Sequence, residues 1–312
     1  MRQTDIIIAH LDRDYTRPVR DPLWKHIYLS DGLMSLIDTP EFQQLNRIKQ
    51  LGPSYLVYPG ATHTRLNHSL GVFHIARRMI RALAAFDDFP QLSLEGVRAF
   101  LAACLLHDVG HFPYTHSMKE LPLREHENLT GEIILRDPIR TRLKDEVGCD
   151  PEMAAAIVDL DAHDGGNQEV AFFRKILSGT LDPDKLDYLN RDAYFCGVPY
   201  GLQDIDYAIS RMVPNGYEGI ALDETGISAV ENLLFSKYLM YRAVYWHRTV
   251  RVATAMIKKA IYLALRDNAI KSEELYGLDD ELFFIRFAEK PSPAFDLIRG
   301  VYTRHLHSPV AS

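Results

Sequence analysis

The sequence predicts a mainly α-helical, multihelical fold with a minor β component. Apolar residues recur close to a 3.6-residue period, helix starts carry capping residues with proline in the first turn, and the β-prone pieces are few and short. Residues 1–37 read as a mixed segment packing on the core, with "DIIIAHL" and "HIYL" as β-prone pieces between charged and proline-containing turns. In "DTPEFQQLNRIKQLG", Asp38 or Thr39 can cap a helix, Pro40 suits its first turn and Gly52-Pro53 stops the run. "LNHSLGVFHIARRMIRALAAF" sets Leu70, Phe73, Ala76, Ile80 and Leu83 on one helical stripe. "LEGVRAFLAACLLHDVGH" predicts a strongly apolar helix ended by Gly110, with Pro113 just beyond.

Further helices are expected around 126–136, 138–146, 151–160 and 168–178, with "DAHDGGNQE" (161–169) as a turn-rich loop. "LDPDKLDYLNRD" has the form of a helix start, Asp182 capping and Pro183 in first position. "MVPNGYEGIALDETGIS" predicts a short hairpin near 213–227. One long helix is expected to fill much of 229–268, and the end "HLHSPVAS" is expected to fray. The expected organisation is the mixed segment 1–37, a main domain over 38–268 and a helical or irregular tail over 269–312.

The composition, 47% hydrophobic and 25% charged over 312 residues, is that of a soluble globular protein with a substantial core. No apolar run approaches the ~18 residues that span a bilayer, and the first residues carry only a short apolar patch, too short for a signal peptide. Three widely spaced cysteines argue against a disulfide framework and for a reducing cytoplasm. A formal net charge of −7 disfavours a protein that coats nucleic acid but leaves room for a small anionic ligand at a local basic cluster. Neither a G-x-G-x-x-G nor a Walker loop is present. Seven of the 13 histidines fall between 63 and 126, which points to one region.

Within that region "HDVGH" (107–111) follows an apolar run. Adjacent helical side chains diverge by ~100°, so His107 and Asp108 converge only on a point beside the helix. They either hydrogen-bond in support of the fold or share a metal ion. In "LDPDKLDYLNRD", taking Asp184 as origin, Tyr188, Asp192, Lys185 and Arg191 fall between ~−20° and ~100°, with Leu186, Leu189 and Ala193 opposite. That polar face is either a solvated, salt-bridged surface or part of a site. Lys237, Tyr241, Tyr245 and Arg248, spaced by four, four and three, share a face of the expected long helix.

The order His68, His107-Asp108, Asp184 resembles that of the HD-domain metal-dependent phosphohydrolases. "DTPEFQQLNRIKQLGPSYLVYPGATHTRLNHSLG", "LLHDVGHFPYTH" and "DPDKLDYLNRD" are similar to the deoxynucleoside-triphosphate triphosphohydrolase branch, and the similarity runs from "DPLWKHIYL" (21–29) to about residue 265. The resemblance implies an HD-domain fold and one divalent metal on His68, His107, Asp108 and Asp184. Nitrogen and oxygen donors suit Mn, Fe, Co, Ni or Zn better than Mg. It further implies catalytic histidines at His111, His116 and His126, and phosphate contacts from Arg65, Lys185 and Lys237, where the branch usually has Arg at the last. Tyr188 would donate to a phosphate, Asp192 would accept from a sugar 3′-hydroxyl, Gln50 and Leu51 would line the sugar, and Tyr245 would stack on the base.

The implied reaction is hydrolysis of a deoxynucleoside triphosphate to deoxynucleoside and inorganic triphosphate. Stepwise phosphate removal from nucleotides or another phosphoester, and nucleotide binding without turnover, are the alternatives. The expected partner is a small-molecule nucleotide, with no membrane, nucleic acid disfavoured and a homo-oligomer, a dimer favoured, expected. Three departures stand out. Lys119 replaces an acidic residue expected to orient His116, Asn46 replaces an arginine of the nucleotide-activated members although Asp38 is kept, and the tail is short for the branch.

Overall fold

The computed structural model describes residues 2–307. It begins with helix α1 (Gln3–Arg13), where "DIIIAHL" is β-prone by composition. Ile7 and Leu11, one turn apart, are both buried, and the Asp5 carboxylate accepts from the Arg2 amide at the helix start. Burial of an i, i+4 pair outweighs the strand preference of three consecutive isoleucines. Strands β1 (Arg17–Asp21) and β2 (Lys25–Leu29) then pair antiparallel, Arg17 opposite Leu29, so "HIYL" is a strand as expected. Helix α2 (Asp31–Ile37), capped by Ser30, closes the mixed segment.

Thr39, rather than Asp38, caps α3 (Pro40–Gln44), with Pro40 in the first turn. Two short 3-10 turns carry the chain past Gly52 (φ +50°) to α4 (Arg65–Leu83). Helix α4 and α5 (Leu94–Leu106) are the centre of the molecule: Val97 and every residue from Ala99 to Leu106 are fully buried. Helix α5 stops at Leu106, before the Gly110 expected as its end, so His107 and Asp108 lie in a turn rather than in the last helical turn. Gly110 explains the stop. Its amide donates to Thr130 Oγ1, and a Cβ there would lie 2.3 Å from the His126 carbonyl oxygen.

Around this pair pack α6 (His126–Ile134), α7 (Ile139–Arg142), α8 (Pro151–Val158) and α9 (Gln168–Leu177), the 159–166 stretch forming the expected loop. Asp182 caps α10 (Pro183–Cys196), its carboxylate accepting from the Lys185 amide at 2.6 Å. After α11 (Ile205–Ser210), strands β3 (Met212–Pro214) and β4 (Ile220–Leu222) form the expected hairpin.

The single long helix expected over 229–268 is instead two. Helix α12 (Ile227–Met240) widens into a π turn over Tyr241–Tyr245, breaks at Trp246-His247 and restarts as α13 (Arg248–Arg266), capped by His247. Arg248 thus lies beyond the break and off the face it was expected to share with Tyr245. Residues 269–302, with α14 (Asp280–Phe283) and α15 (Pro293–Tyr302), pack on α13 around a second apolar cluster that includes Phe112 and Met118 from the turn after α5. "HLHSPVAS" lies beyond residue 307 for its last five residues, outside the described part.

Helices α4 and α10 meet where α4 has no side chain. A Cβ on Gly71 would lie 1.8 Å from Asp187 Oδ1 and 2.6 Å from Arg191 Nη2, both fully buried groups. Gly71→Ala should therefore destabilise the protein by about 1–3 kcal/mol, as overpacking of a filled interior does. A denaturant midpoint lowered by less than that, at unchanged m-value, would show that α10 can step aside.

Candidate active site

His68, His107 and Asp184 come together from α4, the turn after α5 and the start of α10. One donor atom from each lies within 4.8 Å of the others. His68 Nε2 is 2.9 Å from Asp184 Oδ1, and His107 Nε2 is 4.0 Å from the same oxygen. His107 Nδ1 lies 2.9 Å from the Cys104 carbonyl, so it donates there and leaves Nε2 bare, buried and without a hydrogen-bond partner. An orphaned imidazole nitrogen facing a carboxylate and a second imidazole is what a divalent ion would satisfy. Asp108 stands at the margin of this group, its Oδ1 3.4 Å from His107 Nε2, while Oδ2 accepts from Arg65 Nη1 at 2.8 Å. The Asp184 side chain remains 37% exposed, so the group opens to solvent on that side.

Behind the group is a layer of charge. His68 Nδ1 meets Asp187 Oδ2 at 2.9 Å, and Asp187 also accepts from Arg191 Nε at 2.8 Å and from Trp24 Nε1 at 2.5 Å. Arg191 in turn donates to Asp21 of β1. The polar face of α10 is thus largely interior, and Arg191 is fully buried rather than part of a solvated surface. A carboxylate on the far nitrogen of a ligating histidine sets its tautomer and its aim. The i, i+4 spacing of Asp187 and Arg191 was visible in the sequence, but nothing there marked it as buried.

A second group lies against the first. His111 Nδ1 is 3.1 Å from Asp108 Oδ1, and its Nε2 is 3.2 Å from His116 Nε2. The His111 and His126 ring centres are 3.9 Å apart. His111 and His126 are buried, His116 stands exposed at the rim, and the exposed Lys119 follows it. Burial, then Arg65, holds the His111 imidazole well below its ordinary range; burial and His116 do the same for His126. Both are neutral at pH 7.

The remaining expected contacts divide into open and committed groups. Lys185 and Lys237 line one cleft of about 380 Å³ with Ser178, Gly179 and Thr180, next to a larger one of about 540 Å³ beside β4. Lys185 Nζ holds the Gly179 carbonyl at 2.9 Å and also pairs with Asp182. Gln50 keeps a buried side-chain oxygen without a partner, whereas Leu51 packs against the main core. Tyr188 is half-buried, its ring 6.5 Å from His68 and 6.4 Å from Tyr245. Asp192 departs from expectation. It is 2% exposed, and its two oxygens meet His63 Nε2 at 2.8 Å and the Tyr245 hydroxyl at 2.6 Å. His63 and this use of Asp192 were not legible in the sequence.

An HD domain model matches residues 65–168, and a model of the HD-associated region matches 205–310. A hypothetical protein from Aquifex aeolicus superposes with a TM-score of 0.77 at 32% identity, over 92% of this chain and 75% of that one. A phosphohydrolase from Bacteroides thetaiotaomicron superposes at 0.74 with 26% identity, over 93% and 77%. The chain belongs to the HD-domain phosphohydrolases. Within them it is related to the deoxynucleoside triphosphate triphosphohydrolase branch: SAMHD1 of Bos taurus is 28% identical over 81% of this chain and 48% of its own length. The uncharacterized protein YwfO of Bacillus subtilis is 38% identical over 78% of this chain and 55% of its own. The chain thus spans about half the length of the curated relatives it matches. Asp184 falls between the two matched regions, and the fold delivers it to the HD pair. Among the described residues no helix is long and apolar enough to cross a membrane.

Burial alone would lower His68, but its hydrogen bonds to Asp184 and Asp187 outweigh burial and push it up to about 10. A metal ligated at this nitrogen must displace that proton, so affinity should rise with pH up to about 10, close to tenfold per unit. Calorimetric titration with Mn²⁺ at pH 7.5 in buffers of different ionisation enthalpy should report release of about one proton. Asp187→Ala, which leaves Arg191 short of a partner and His68 unsupported, should weaken that binding ~10–100-fold.

Proposed function

We propose that the chain hydrolyses deoxynucleoside triphosphates in a metal-dependent reaction, releasing deoxynucleoside and inorganic triphosphate. The observation that carries the reading is the buried, unpartnered His107 Nε2 facing His68 and Asp184, with a lysine-lined cleft close by. His68, His107, Asp108 and Asp184 would hold the ion, Asp108 turning part of its charge from Arg65. Two imidazoles with two carboxylates favour Mn, Fe, Co, Ni or Zn over Mg. Bound there, an ion would supply Lewis-acid polarisation at a phosphoryl oxygen and lower the pKa of water.

The chain supplies the rest. Arg65, whose Nε has no partner, Lys185 and Lys237 set positive charge against a triphosphate. Lys237 presents a single ammonium where an arginine would offer a planar fork, which lowers its geometric selectivity. Neutral His111 and His126 can orient water or accept its proton, whereas a neutral imidazole has no proton to spare for a leaving oxygen without first gaining one. His116, followed by Lys119 rather than a carboxylate, reaches the rim, yet burial of its ring against the other two, then His111 and Arg65, hold it well below its ordinary range as well, so it too is a neutral imidazole. Gln50, Leu51 and Tyr188 would face the sugar and phosphates, and Tyr245 the base.

One observation favours stepwise phosphoester hydrolysis as a second reading. Both Asp192 oxygens are already engaged by His63 and Tyr245, so the expected sugar contact needs Tyr245 or His63 to let go. Products decide between the two. With dNTPs and Mn²⁺, ion-exchange chromatography should show triphosphate and deoxynucleoside; orthophosphate with a nucleoside diphosphate would establish the stepwise reaction instead. Asp108→Ala should abolish turnover, at least ~10³-fold, and metal retention, while circular dichroism keeps its helical signal. A metal-free but active variant would overturn the site.

A further inference from the structure

His63 is a buried titratable group that the proposed reaction leaves without a role. Its side chain is fully buried, its Nε2 lies 2.8 Å from Asp192 Oδ1, and its Nδ1 is buried with no partner. Among the described residues, buried side-chain atoms of this kind gather at the site: Gln50, His63, Arg65, His107, His111 and His126 each carry one. Folded interiors satisfy their polar groups, and those left bare call for an explanation. The other five residues already have one in the proposed reaction.

The placement of His63 is fixed from two sides. The chain ahead of it passes so close to α10 that a Cβ on Gly60 would lie 2.5 Å from the Phe195 carbonyl oxygen. Its ring stacks on Phe195 with centres 4.6 Å apart, so α10 grips it with Asp192 and Phe195, one helical turn apart on one face. On the other side the Gln50 amide donates to the His63 carbonyl at 3.0 Å, the Arg65 amide donates to the Ile48 carbonyl at 3.0 Å, and Lys49 pairs with Thr64 between them. One residue thus ties together Gln50 and Asp192, the two groups expected to face a sugar. The other oxygen of Asp192, Oδ2, accepts from the Tyr245 hydroxyl at 2.6 Å. Tyr245 is half-buried and closes a π turn next to the break at Trp246-His247, so of the two partners it is the one free to move away.

We propose that His63 is a positioning residue for sugar recognition: it holds Asp192 Oδ1 in place so that Oδ2 reads the sugar 3′-hydroxyl, which takes the position of the Tyr245 hydroxyl. This rests on the deoxynucleoside triphosphate reading of the site. A carboxylate held by one oxygen presents the other in a fixed direction, and a fixed acceptor favours a substrate that has the hydroxyl over one that lacks it. His63 itself touches no substrate, and its effect passes through Asp192.

Hydrolysis with Mn²⁺ of the four dNTPs and of their 2′,3′-dideoxy counterparts, which lack that hydroxyl, tests the assignment. Wild type should prefer the dNTPs by about 10–100-fold in kcat/KM, the worth of a hydrogen bond to a charged group. His63→Phe keeps a ring against Phe195 but no donor, and should shrink that preference at least ~10-fold, with the loss falling on the dNTPs. His63→Leu reads the same loss if the larger ring does not fit. His63→Gln, whose amide can stand in for the Nε2 donor, should restore most of the preference. In an Asp192→Ala background His63→Phe should change the preference no further, because the two act through one contact. Wild type indifferent to the hydroxyl would overturn the inference while dNTP hydrolysis stands. So would a His63 variant that slows both classes equally, leaves the preference intact or adds to Asp192→Ala. Wild type that turns over no dNTP would overturn the reading itself, and this inference with it.

Discussion

The Asp187 carboxylate is the constraint on which the rest of the site depends. It is fully buried and takes hydrogen bonds from His68, Arg191 and Trp24, residues of α4, α10 and the β1–β2 turn. Burial by itself would drive a carboxyl to its neutral form, but the adjoining Arg191 guanidinium and His68 keep it ionised and well below its ordinary range. A buried ion pair of this kind gains little over well-packed apolar residues, whereas removing one partner leaves a bare charge and costs about 3–5 kcal/mol. Its structural consequence is positional. Gly71 lets the two helices approach until His68 is held between Asp187 behind and Asp184 in front.

From that anchor the electrostatic division of the site follows. Arg65 and Asp108 form a buried pair between two groups of histidines. On one side His68, drawn to two carboxylates, holds a proton tightly. On the other, His111 and His126 are buried near the same arginine and shed their protons. Imidazoles of one intrinsic basicity therefore stand in opposite protonation states within a few ångströms, and only their neighbours differ.

Several elements were legible because their signals are local. Thr39 and Asp182 cap where a side-chain oxygen meets free amides, Pro40 and Pro183 occupy first turns, and the hairpin lies where Asn-Gly sits between short apolar runs. Elements decided by packing were not. The isoleucines of α1 become helical because Ile7 and Leu11 find the core. Helix α5 ends early because α6 crowds Gly110, and the long helix near the end opens into a π turn that sets Tyr245 toward Asp192. In each case a distant segment overrides the local preference.

The sequence by itself determined the helical class, the caps and the order of the histidine and aspartate motifs, because capping, periodicity and motif spacing act over a few residues. Tertiary structure alone decided which charged side chains are interior. A helical wheel ranks Asp184, Asp187, Arg191 and Asp192 as one polar face, and burial depends on what that face meets. Here it meets a glycine and a histidine of α4, so a stripe that reads as solvated became the electrostatic floor of the site.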